Sequence, residues 1–259
     1  MLGKYRIARL IGSGGFAQVY AAHDTVEGIE VALKIPHARF LDEELLNMFR
    51  KEVRLVAKLE HPGIIGIKNA SIIDGQFVVA SLLGTESLGE RLRRRISVVR
   101  SLHLIEQMIE GLAYAHESGL IHCDIKPENF ILFGSERIRL TDFGIAKVAT
   151  QTVEGSGSGT IGRMAPEQAM GKPTTRSDVF SLGLIMYRML AGEWPEYPFF
   201  WPPPKAINLR RKHVHPDMIA LIRKSISLRP RDRFADATRM YDAFSKIYAK
   251  TLRNLDRQR

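Results

Sequence analysis

The sequence predicts an α+β chain with two lobes: a small N-terminal lobe with an antiparallel sheet and one helix, and a larger, mainly helical C-terminal lobe. Three observations support this. Short runs rich in Val, Ile and Tyr, separated by Gly-rich or acidic turns, fill the first third of the chain. A single helix-forming segment interrupts them. From about Glu86 the pattern becomes helical, so we place the lobes at residues 1–83 and 84–259 of one domain.

The strands of the smaller lobe are predicted at residues 5–12, 19–23, 30–35, 64–72 and 76–82. Between the third and fourth strands, Asp42 can cap a helix. Leu45, Phe49 and Val53 recur there at helical spacing, and the segment His61-Pro62-Gly63 ends the helix.

The larger lobe should contain helices at residues 102–116 and 179–190, and a final amphipathic helix after Asp236. Segment 179–190 is apolar almost all round, which is typical of a helix at the centre of a core. The Trp- and Pro-rich segment 194–204 has two interpretations. Core burial is favoured, and an exposed apolar patch would instead mark a protein-binding surface.

The net charge of +10 could indicate nucleic acid or an anionic membrane as a partner. The arginines form two groups without interleaved aromatic residues that could stack on bases. We therefore expect a solvated helix surface first, docking of an acidic protein second, and a nucleic-acid partner last. The groups are Arg91, Arg93, Arg94, Arg95 and Arg100, and then Arg253, Arg257 and Arg259.

No apolar run reaches the roughly 20 residues that a membrane span requires. The first residues lack the apolar centre of a secretory signal, and Cys123 is the single cysteine, so an internal disulfide is impossible. We expect a cytoplasmic protein.

A glycine-rich segment, residues 12–19, lies between the first two predicted strands. Its glycines allow a tight turn and bring backbone amides close to phosphate oxygens. Hairpins without a ligand share this pattern. A Walker loop is excluded because no Gly-Lys-Ser/Thr follows, and a Rossmann turn would lead into a helix.

Lys34 closes the apolar run Val31-Ala32-Leu33. It could face water from an edge strand. Alternatively, it could pair with Glu52, which lies on the apolar face of the predicted helix, since a buried ammonium group requires an anion.

The densest group of polar residues is His122-Cys123-Asp124-Ile125-Lys126-Pro127-Glu128-Asn129. Thr141-Asp142-Phe143-Gly144 and Met164-Ala165-Pro166-Glu167 follow. Together with the glycine-rich segment and Lys34, in this order, these motifs resemble the eukaryotic-type (Hanks-type) protein serine/threonine kinases. The resemblance covers nearly the whole chain, and the short connections are more similar to bacterial members. It implies a protein-kinase-like fold.

The resemblance implies transfer of the γ-phosphoryl group of ATP, with Mg²⁺, to Ser or Thr of protein substrates, including autophosphorylation. Asp124 would orient the acceptor hydroxyl, and Lys126 would neutralise the transferred group and indicate Ser/Thr specificity. Lys34, held by Glu52, would grip the phosphates, and Asn129 and Asp142 would bind Mg²⁺. The nucleotide-binding residues would be Ile11, Gly12, Ser13, Gly14, Gly15, Phe16, Ala17, Val19, Ala32, Lys34, Ser81, Leu83 and Ile131.

Two structural pairs also follow from the resemblance: Asp178 with the backbone around His122, and Glu167 with Arg233. Two departures stand out. Ala17 replaces the third glycine of the loop, and Cys123 replaces the arginine that usually holds a phosphate of the activation segment. We therefore expect a non-RD kinase that is not strictly dependent on activation-segment phosphorylation. Candidate autophosphorylation sites in that segment are Thr150, Thr152, Ser156, Ser158 and Thr160. A nucleophilic role for Cys123 is not required.

Two alternatives remain. A pseudokinase scaffold would bind nucleotide without catalysis, although Lys34, Asp124, Asn129 and Asp142 are all present. A small-molecule kinase of related fold, such as an antibiotic phosphotransferase, is disfavoured by Lys126 and by the Ala165-Pro166-Glu167 segment.

Overall fold

A computed structural model of the chain describes residues 1–14, 17–37, 43–143, 163–196, 199–203 and 205–256. The chain divides into two compact units, Met1–Thr85 and Glu86–Arg259. We call them the N-terminal and C-terminal units. The division lies close to the one predicted between Leu83 and Gly84.

The N-terminal unit is one antiparallel sheet with the strand order β1-β2-β3-β5-β4 and one helix. The strands are β1 (Tyr5–Ser13), β2 (Ala17–Asp24), β3 (Ile29–Pro36), β4 (Ile67–Ile73) and β5 (Gln76–Leu82), and the helix is α1 (Glu43–Val56).

The two faces of this sheet carry different residues because side chains alternate along a strand. On β3, Val31 and Leu33 are buried, and they pack with Tyr5 and Ala80. Helix α1 packs on the opposite face of the sheet. There Phe49 of the helix meets Phe77 of β5 edge to face, with ring centroids 5.1 Å apart. The single predicted helix therefore covers one face of the sheet.

The C-terminal unit is mainly helical and has a small antiparallel sheet with the strand order β6-β7-β8. Its strands are β6 (Glu86–Ser87), β7 (Phe130–Phe133) and β8 (Arg137–Leu140). Its helices are α2 (Leu88–Arg91), α3 (Val98–Glu117), α4 (Pro166–Ala169), α5 (Thr175–Ala191), α6 (Ile207–Arg211), α7 (Pro216–Ser225) and α8 (Ala237–Asp256), with 3-10 helices at Pro127–Asn129 and Pro230–Asp232.

Helix α5 is the buried centre of this unit, as its sequence predicts. Gly183 lets α7 approach it closely: a Cβ at this position would lie 2.7 Å from Cβ of Ser225 and 2.9 Å from Cγ2 of Ile226. The helix ends at Gly192, whose φ of +92° suits glycine.

The aromatic residues of the Trp- and Pro-rich segment pack mainly on the core. Phe199 is buried and packs edge to face on Phe180 with centroids 5.4 Å apart, and the half-buried Trp194 and Trp201 pack against the same core cluster. Glu196, Pro202 and Phe200, which is 70% exposed, face solvent. The structure therefore favours core burial over a protein-binding patch, although Tyr197, Pro198 and Pro204 lie outside the described residues.

The first arginine group lies at the surface of the C-terminal unit. Arg94 forms an ion pair with Glu86, and Arg91 donates to the carbonyl oxygens of Arg94 and Arg95. Of the second group, Arg253 donates to the Ala249 carbonyl, whereas Arg257 and Arg259 lie outside the described part of the chain. Within the described ranges, no helix has both the length and the apolar character that a bilayer crossing requires.

Candidate active site

The predicted nucleotide-binding residues of the N-terminal unit gather at the β1–β2 hairpin. Gly12 pairs with Val19 across the two strands, and the Gly14 amide donates to the Ala17 carbonyl over 2.9 Å. Ile11 and Ser13 precede the turn at the end of β1 and are exposed. Gly15 and Phe16 lie outside the described residues.

His37, which the sequence analysis did not single out, holds this hairpin from the end of β3. Its Nε2 lies 2.9 Å from the Gly14 carbonyl oxygen, so the ring nitrogen donates to it. A polar residue just after an apolar strand was the only available signal, and that signal is common in loops.

Lys34 lies on the α1 face of the sheet. Val19 on β2 and Val79 on β5 are its cross-strand neighbours, and its Nζ lies 5.6 Å from the ring centroid of Phe49 in α1. The side chain of Glu52, its predicted partner on the same helix, lies outside the described residues.

Ala32 occupies the same face as Lys34 and pairs with Ser81 of β5. Leu83 follows that strand and is half-buried. These predicted nucleotide-binding residues therefore belong to the same sheet as the hairpin.

In the C-terminal unit, Asp124 is at the centre of a polar cluster. Its Oδ2 accepts a hydrogen bond from Asn129 Nδ2 over 3.0 Å and lies 3.0 Å from Lys126 Nζ. The carboxylate remains partly accessible, with 20% of the side chain exposed. Two donors on one oxygen fix the orientation of the group without burying it.

Asp142 is brought beside Asn129 by the backbone. The pairing of β7 with β8 ends at Phe130 and Leu140, and the Thr141 amide then donates to the Asn129 carbonyl over 2.9 Å. Asp142 follows with φ of +59°, a left-handed conformation that is uncommon for residues other than glycine. The strained residue next to this bond directs the chain away from β8.

The Asn129 and Asp142 side chains offer a donor set that suits Mg²⁺. Both contacts of the Asn129 side-chain amide with described residues use Nδ2, so Oδ1 is the atom of this side chain that could bind a metal ion. The described residues contain no group of three or more His, Cys, Asp and Glu side chains that could enclose a metal alone. One carboxylate and one amide oxygen fit Mg²⁺, which takes its remaining ligands from water and phosphate.

His122 connects the two halves of this cluster. Its Nε2 donates to the Thr141 carbonyl over 2.9 Å, and its Nδ1 accepts from the Asp124 amide over 3.2 Å. Its ring lies 4.7 Å from that of Phe143. Complete burial lowers the pKa of His122, against the effect of nearby carboxylates including Asp178, so the ring is neutral and the two bonds fix its tautomer.

Asp178 of α5 accepts hydrogen bonds from the loop that contains His122 and Cys123, as predicted. Its Oδ2 accepts from the His122 amide over 2.7 Å, and its Oδ1 accepts from the Cys123 amide over 2.9 Å. These bonds support Cys123 in a left-handed conformation, with φ of +63°. Burial, and then the charges of Asp178 and Asp124, raise the pKa of the Cys123 thiol to about 12.

His116 is a second supporting residue that the sequence analysis missed. Its Nδ1 accepts from the Ala237 amide at the start of α8 over 3.0 Å, so Nε2 carries the proton that it donates to Asp178 Oδ2 over 3.1 Å. A histidine among the apolar residues of α3 was the available signal, but a histidine packed in a core gives the same pattern.

The predicted pair of Glu167 and Arg233 is confirmed. Two guanidinium nitrogens of Arg233 donate to the two carboxylate oxygens of Glu167, at 2.6 and 3.1 Å, and the Arg233 side chain is fully buried. Gln168, next to Glu167, donates to the Cys123 carbonyl. Helix α4 is thereby attached both to the core and to the loop that carries Asp124.

The structure thus brings together Asp124, Lys126, Asn129 and Asp142 in the C-terminal unit. Ile131, predicted to contact adenine, lies on β7 opposite Arg139 and Ser87 and is half-buried. The candidate phosphorylation sites Thr150, Thr152, Ser156, Ser158 and Thr160, and Gly144, lie outside the described residues.

Comparisons with known proteins identify the family and the fold. Residues 5–244 match the protein kinase domain family. Serine/threonine-protein kinase PknA of Mycobacterium tuberculosis (strain ATCC 25618 / H37Rv) is 34% identical over 271 residues, which cover 95% of this chain and 62% of PknA. PrkC of Bacillus subtilis (strain 168) is 32% identical over 220 residues, covering 82% of this chain and 33% of PrkC.

Among solved structures, the PknI kinase domain of Mycobacterium tuberculosis matches with a TM-score of 0.72 at 24% identity, covering 95% of this chain and 96% of that one. The chain therefore belongs to the protein kinase domain family and groups with the bacterial Hanks-type serine/threonine kinases, as the sequence predicts. The predicted fold, with an antiparallel-sheet lobe and a helical lobe, is confirmed. The chain spans less than two thirds of the length of PknA.

Proposed function

We propose that the chain transfers the γ-phosphoryl group of ATP to Ser and Thr hydroxyls of proteins, itself included. The observation that carries this proposal is the joining of Asp124 to Asn129 at 3.0 Å and of Asn129 to the segment of Asp142 at 2.9 Å. A positioned base thereby adjoins a pair of oxygen ligands, and phosphoryl transfer requires positioning and charge neutralisation above all.

Asp124 has the features of the group that orients the acceptor. Its Oδ2 is held by Asn129 and Lys126, and the carboxylate is partly exposed. An acceptor hydroxyl that donates to this carboxylate has its oxygen directed by a group that cannot rotate freely. The acceptor oxygen forms a bond to the γ-phosphorus while the bond from that phosphorus to the β,γ-bridging oxygen breaks and ADP leaves, and the hydroxyl proton passes to Asp124.

Asn129 Oδ1 and the Asp142 carboxylate would hold Mg²⁺, and Lys34, supported by Glu52, would bind the α- and β-phosphates. When bound, Mg²⁺ neutralises phosphate charge and orients the phosphate tail. The hairpin between β1 and β2 would lie against the phosphates, and Ala32 would contact the adenine.

Protein Ser and Thr residues are the proposed acceptors because Lys126 accompanies Asp124, with 3.0 Å between Nζ and Oδ2. The relatives PknA and PrkC are both named serine/threonine-protein kinases. We place the activity in the cytoplasm, where ATP is abundant and a lone cysteine such as Cys123 stays reduced.

The proposal is tested by incubating the chain with γ-labelled ATP, Mg²⁺ and two unstructured proteins, one acidic and one basic. We expect label on Ser and Thr of the chain or of a substrate, and none with Asp124→Asn. Nucleotide binding without transfer would identify a scaffold instead. Label on a small-molecule alcohol but on no protein would identify a small-molecule kinase.

We further propose that activity does not depend strictly on phosphorylation of the activation segment. An arginine at the position of Cys123 would hold an activation-segment phosphate, and a cysteine cannot. The Cys123 backbone is already fixed by Asp178 through its amide and by Gln168 through its carbonyl. The loop is therefore held by the buried Asp178 carboxylate and by the half-buried Gln168 amide, and no phosphate is needed to supply these partners.

Simultaneous replacement of Thr150, Thr152, Ser156 and Ser158 by alanine tests this point. We expect transfer rates to stay within about tenfold of the wild-type rate, because Cys123 cannot form the charged hydrogen bonds to a phosphate that the variant would otherwise lose, each worth roughly 1.5–3 kcal/mol or more than about tenfold in rate. A larger loss would contradict the proposed independence while leaving the kinase assignment intact.

A further inference from the structure

A depression of about 200 Å³ opens in the C-terminal unit beside the proposed catalytic residues. Its lining includes Pro127 and Glu128, which share the 3-10 helix of Asn129. Asn129 in turn donates to Asp124. The depression is therefore connected to Asp124, the proposed acceptor-orienting residue. The connection runs through Pro127, Glu128 and Asn129, which are consecutive residues of one 3-10 turn.

Positive charge dominates this depression. Arg93, Arg163 and Arg188 line it, against the single carboxylate of Glu128, which is exposed. We call the surface formed by these three arginines the arginine pocket. Three guanidinium groups around one concave surface are suited to a carboxylate or phosphate, which they can bind in bidentate fashion.

Helix capping explains part of this arrangement. Arg188 donates to the carbonyl oxygens of Gly192 and Leu92, and cations at a helix C-terminus are favourable. Both acceptors are neutral, however, so these bonds do not neutralise Arg188, and the nearby Glu193 carboxylate offsets its charge only in part. Its remaining N–H groups can still donate.

Arg163 has a different role. Its guanidinium carbon lies 4.0 Å from the ring centroid of Trp194, which also lines the depression. A guanidinium stacked on an aromatic ring keeps its N–H groups at its edge, where they can donate to a ligand. Trp194 therefore holds Arg163 in place without neutralising it.

The cations are close enough to repel one another. Burial lowers the pKa of Arg188; Glu193 opposes this effect, and Arg163 lowers the pKa further. Burial and then the charges of Arg188 and Arg95 lower the pKa of the neighbouring Lys212. Bringing like charges together is unfavourable unless an anion joins them, and a bound anion would relieve this repulsion.

We propose that the arginine pocket binds an anionic side chain of the protein substrate, close in sequence to the phosphorylated Ser or Thr. The ligand is a carboxylate of Asp or Glu, or the phosphate of a residue that is already phosphorylated. This inference rests on the proposed function, because it assigns the specificity of the same site. The arginine pocket would make the chain a kinase that prefers Ser or Thr residues close to acidic or phosphorylated residues.

Binding of non-phosphorylatable peptides tests the pocket independently of catalysis. Fluorescent peptides carry Ala in place of the acceptor, with Ala, Glu, phosphoserine or Lys scanned through the flanking positions. Their dissociation constants for the full chain are measured by anisotropy. We expect Glu or phosphoserine at one position to tighten binding about tenfold or more over Ala, as a charge-assisted hydrogen bond predicts.

The matched variants are Arg163→Gln and Arg239→Gln. Arg239 is an exposed arginine of α8, paired with Asp242, so its replacement removes the same charge elsewhere. We expect Arg163→Gln to abolish the preference for acidic peptides and Arg239→Gln to retain it. Arg163→Glu should shift the preference towards Lys. Thermal melting confirms that each variant is folded.

Equal binding of Ala, Glu and phosphoserine peptides by the wild-type chain, or a preference for Lys, would overturn the inference without any variant. If both Arg163→Gln and Arg93→Gln still prefer acidic peptides, the binding site lies elsewhere and the inference is overturned as well. Stronger binding of phosphoserine than of Glu identifies phosphate as the ligand, and the reverse identifies a carboxylate. Transfer to the matching Ser peptides separately tests the proposed function.

Discussion

Asn129 donates from its side-chain Nδ2 both to the Asp124 carboxylate, over 3.0 Å, and to the Asp124 carbonyl, over 2.8 Å. Two acceptors on one nitrogen decide the orientation of the amide, since the oxygen must then face away from Asp124. Under the proposed function, one side chain therefore fixes the base with its nitrogen and binds Mg²⁺ with its oxygen.

Replacement of Asn129 by Asp separates these two tasks. Asp keeps a metal-binding oxygen but loses the donor, and it places a second carboxylate against Asp124, which disfavours ionisation of both. We expect the turnover number of Asn129→Asp to fall at least about tenfold. The control is Asn47→Asp, which makes the same change at an exposed position of α1. Wild-type turnover would show that only the oxygen matters.

Cys123 should be unreactive in the folded chain. Burial and the charges of Asp178 and Asp124 raise the pKa of its thiol to about 12, so almost no thiolate exists near pH 8. We expect iodoacetamide to modify Cys123 about a hundredfold more slowly in the native chain than in urea. Mass spectrometry measures both rates, and similar rates would contradict the buried position.

The Glu167–Arg233 pair should make stability sensitive to acid. Burial acts to raise the pKa of Glu167, but the hydrogen bonds of Arg233 and Ser177 outweigh it and lower this pKa below its usual value of 4.5. The contribution of the pair is therefore fully present above the unfolded-state pKa and is lost as the pH falls through the lower, folded-state pKa.

Glu167→Ala should lower the free energy of unfolding by about 3–5 kcal/mol at neutral pH, because it leaves the buried Arg233 without its carboxylate. Urea denaturation measures this loss. Adding Arg233→Met should recover part of the loss by removing the unpaired charge. A double variant that is less stable than the sum of the single losses would contradict this account.

Gly183 should resist replacement by alanine. Alanine normally stabilises a helix by roughly 1 kcal/mol relative to glycine. Here its Cβ would lie 2.7 Å from Cβ of Ser225, an atom close to the backbone of α7. We expect Gly183→Ala to lower the free energy of unfolding by about 1–3 kcal/mol. Ser225→Gly should reduce this loss, and a neutral Gly183→Ala would show that α5 and α7 can separate.

Much of the fold could be predicted because the hydrophobic periodicity and the turn-forming residues indicate the same helices and strands. The five strands of the larger sheet fell near their observed bounds, and alternation is clear on β3, whereas α1 ends at Val56, before the predicted stop at residues 61–63. The strands β6, β7 and β8 were not predicted. They have two to four residues each, too few for alternation to distinguish them from loop.

The candidate site could be predicted where a residue belongs to a sequence motif whose residue types are explained by the chemistry of phosphoryl transfer. Asp124, Asn129 and Asp142 are such residues. His116, His37 and Gln168 were not, because their roles depend on contacts with distant residues. His116, for example, bridges Asp178 and the Ala237 amide, and no local pattern specifies such a bridge. The arginine pocket likewise assembles from separate segments.

The rate of a single turnover tests the central claim most directly. Wild-type chain, Asp124→Asn and the control Arg239→Gln are mixed with ATP, Mg²⁺ and a serine peptide, and phosphopeptide is followed over time at saturating nucleotide. We predict that Asp124→Asn is at least about a hundredfold slower than wild type while its ATP affinity is unchanged, and that Arg239→Gln matches wild type. Equal rates for Asp124→Asn and wild type would contradict the assignment of this site.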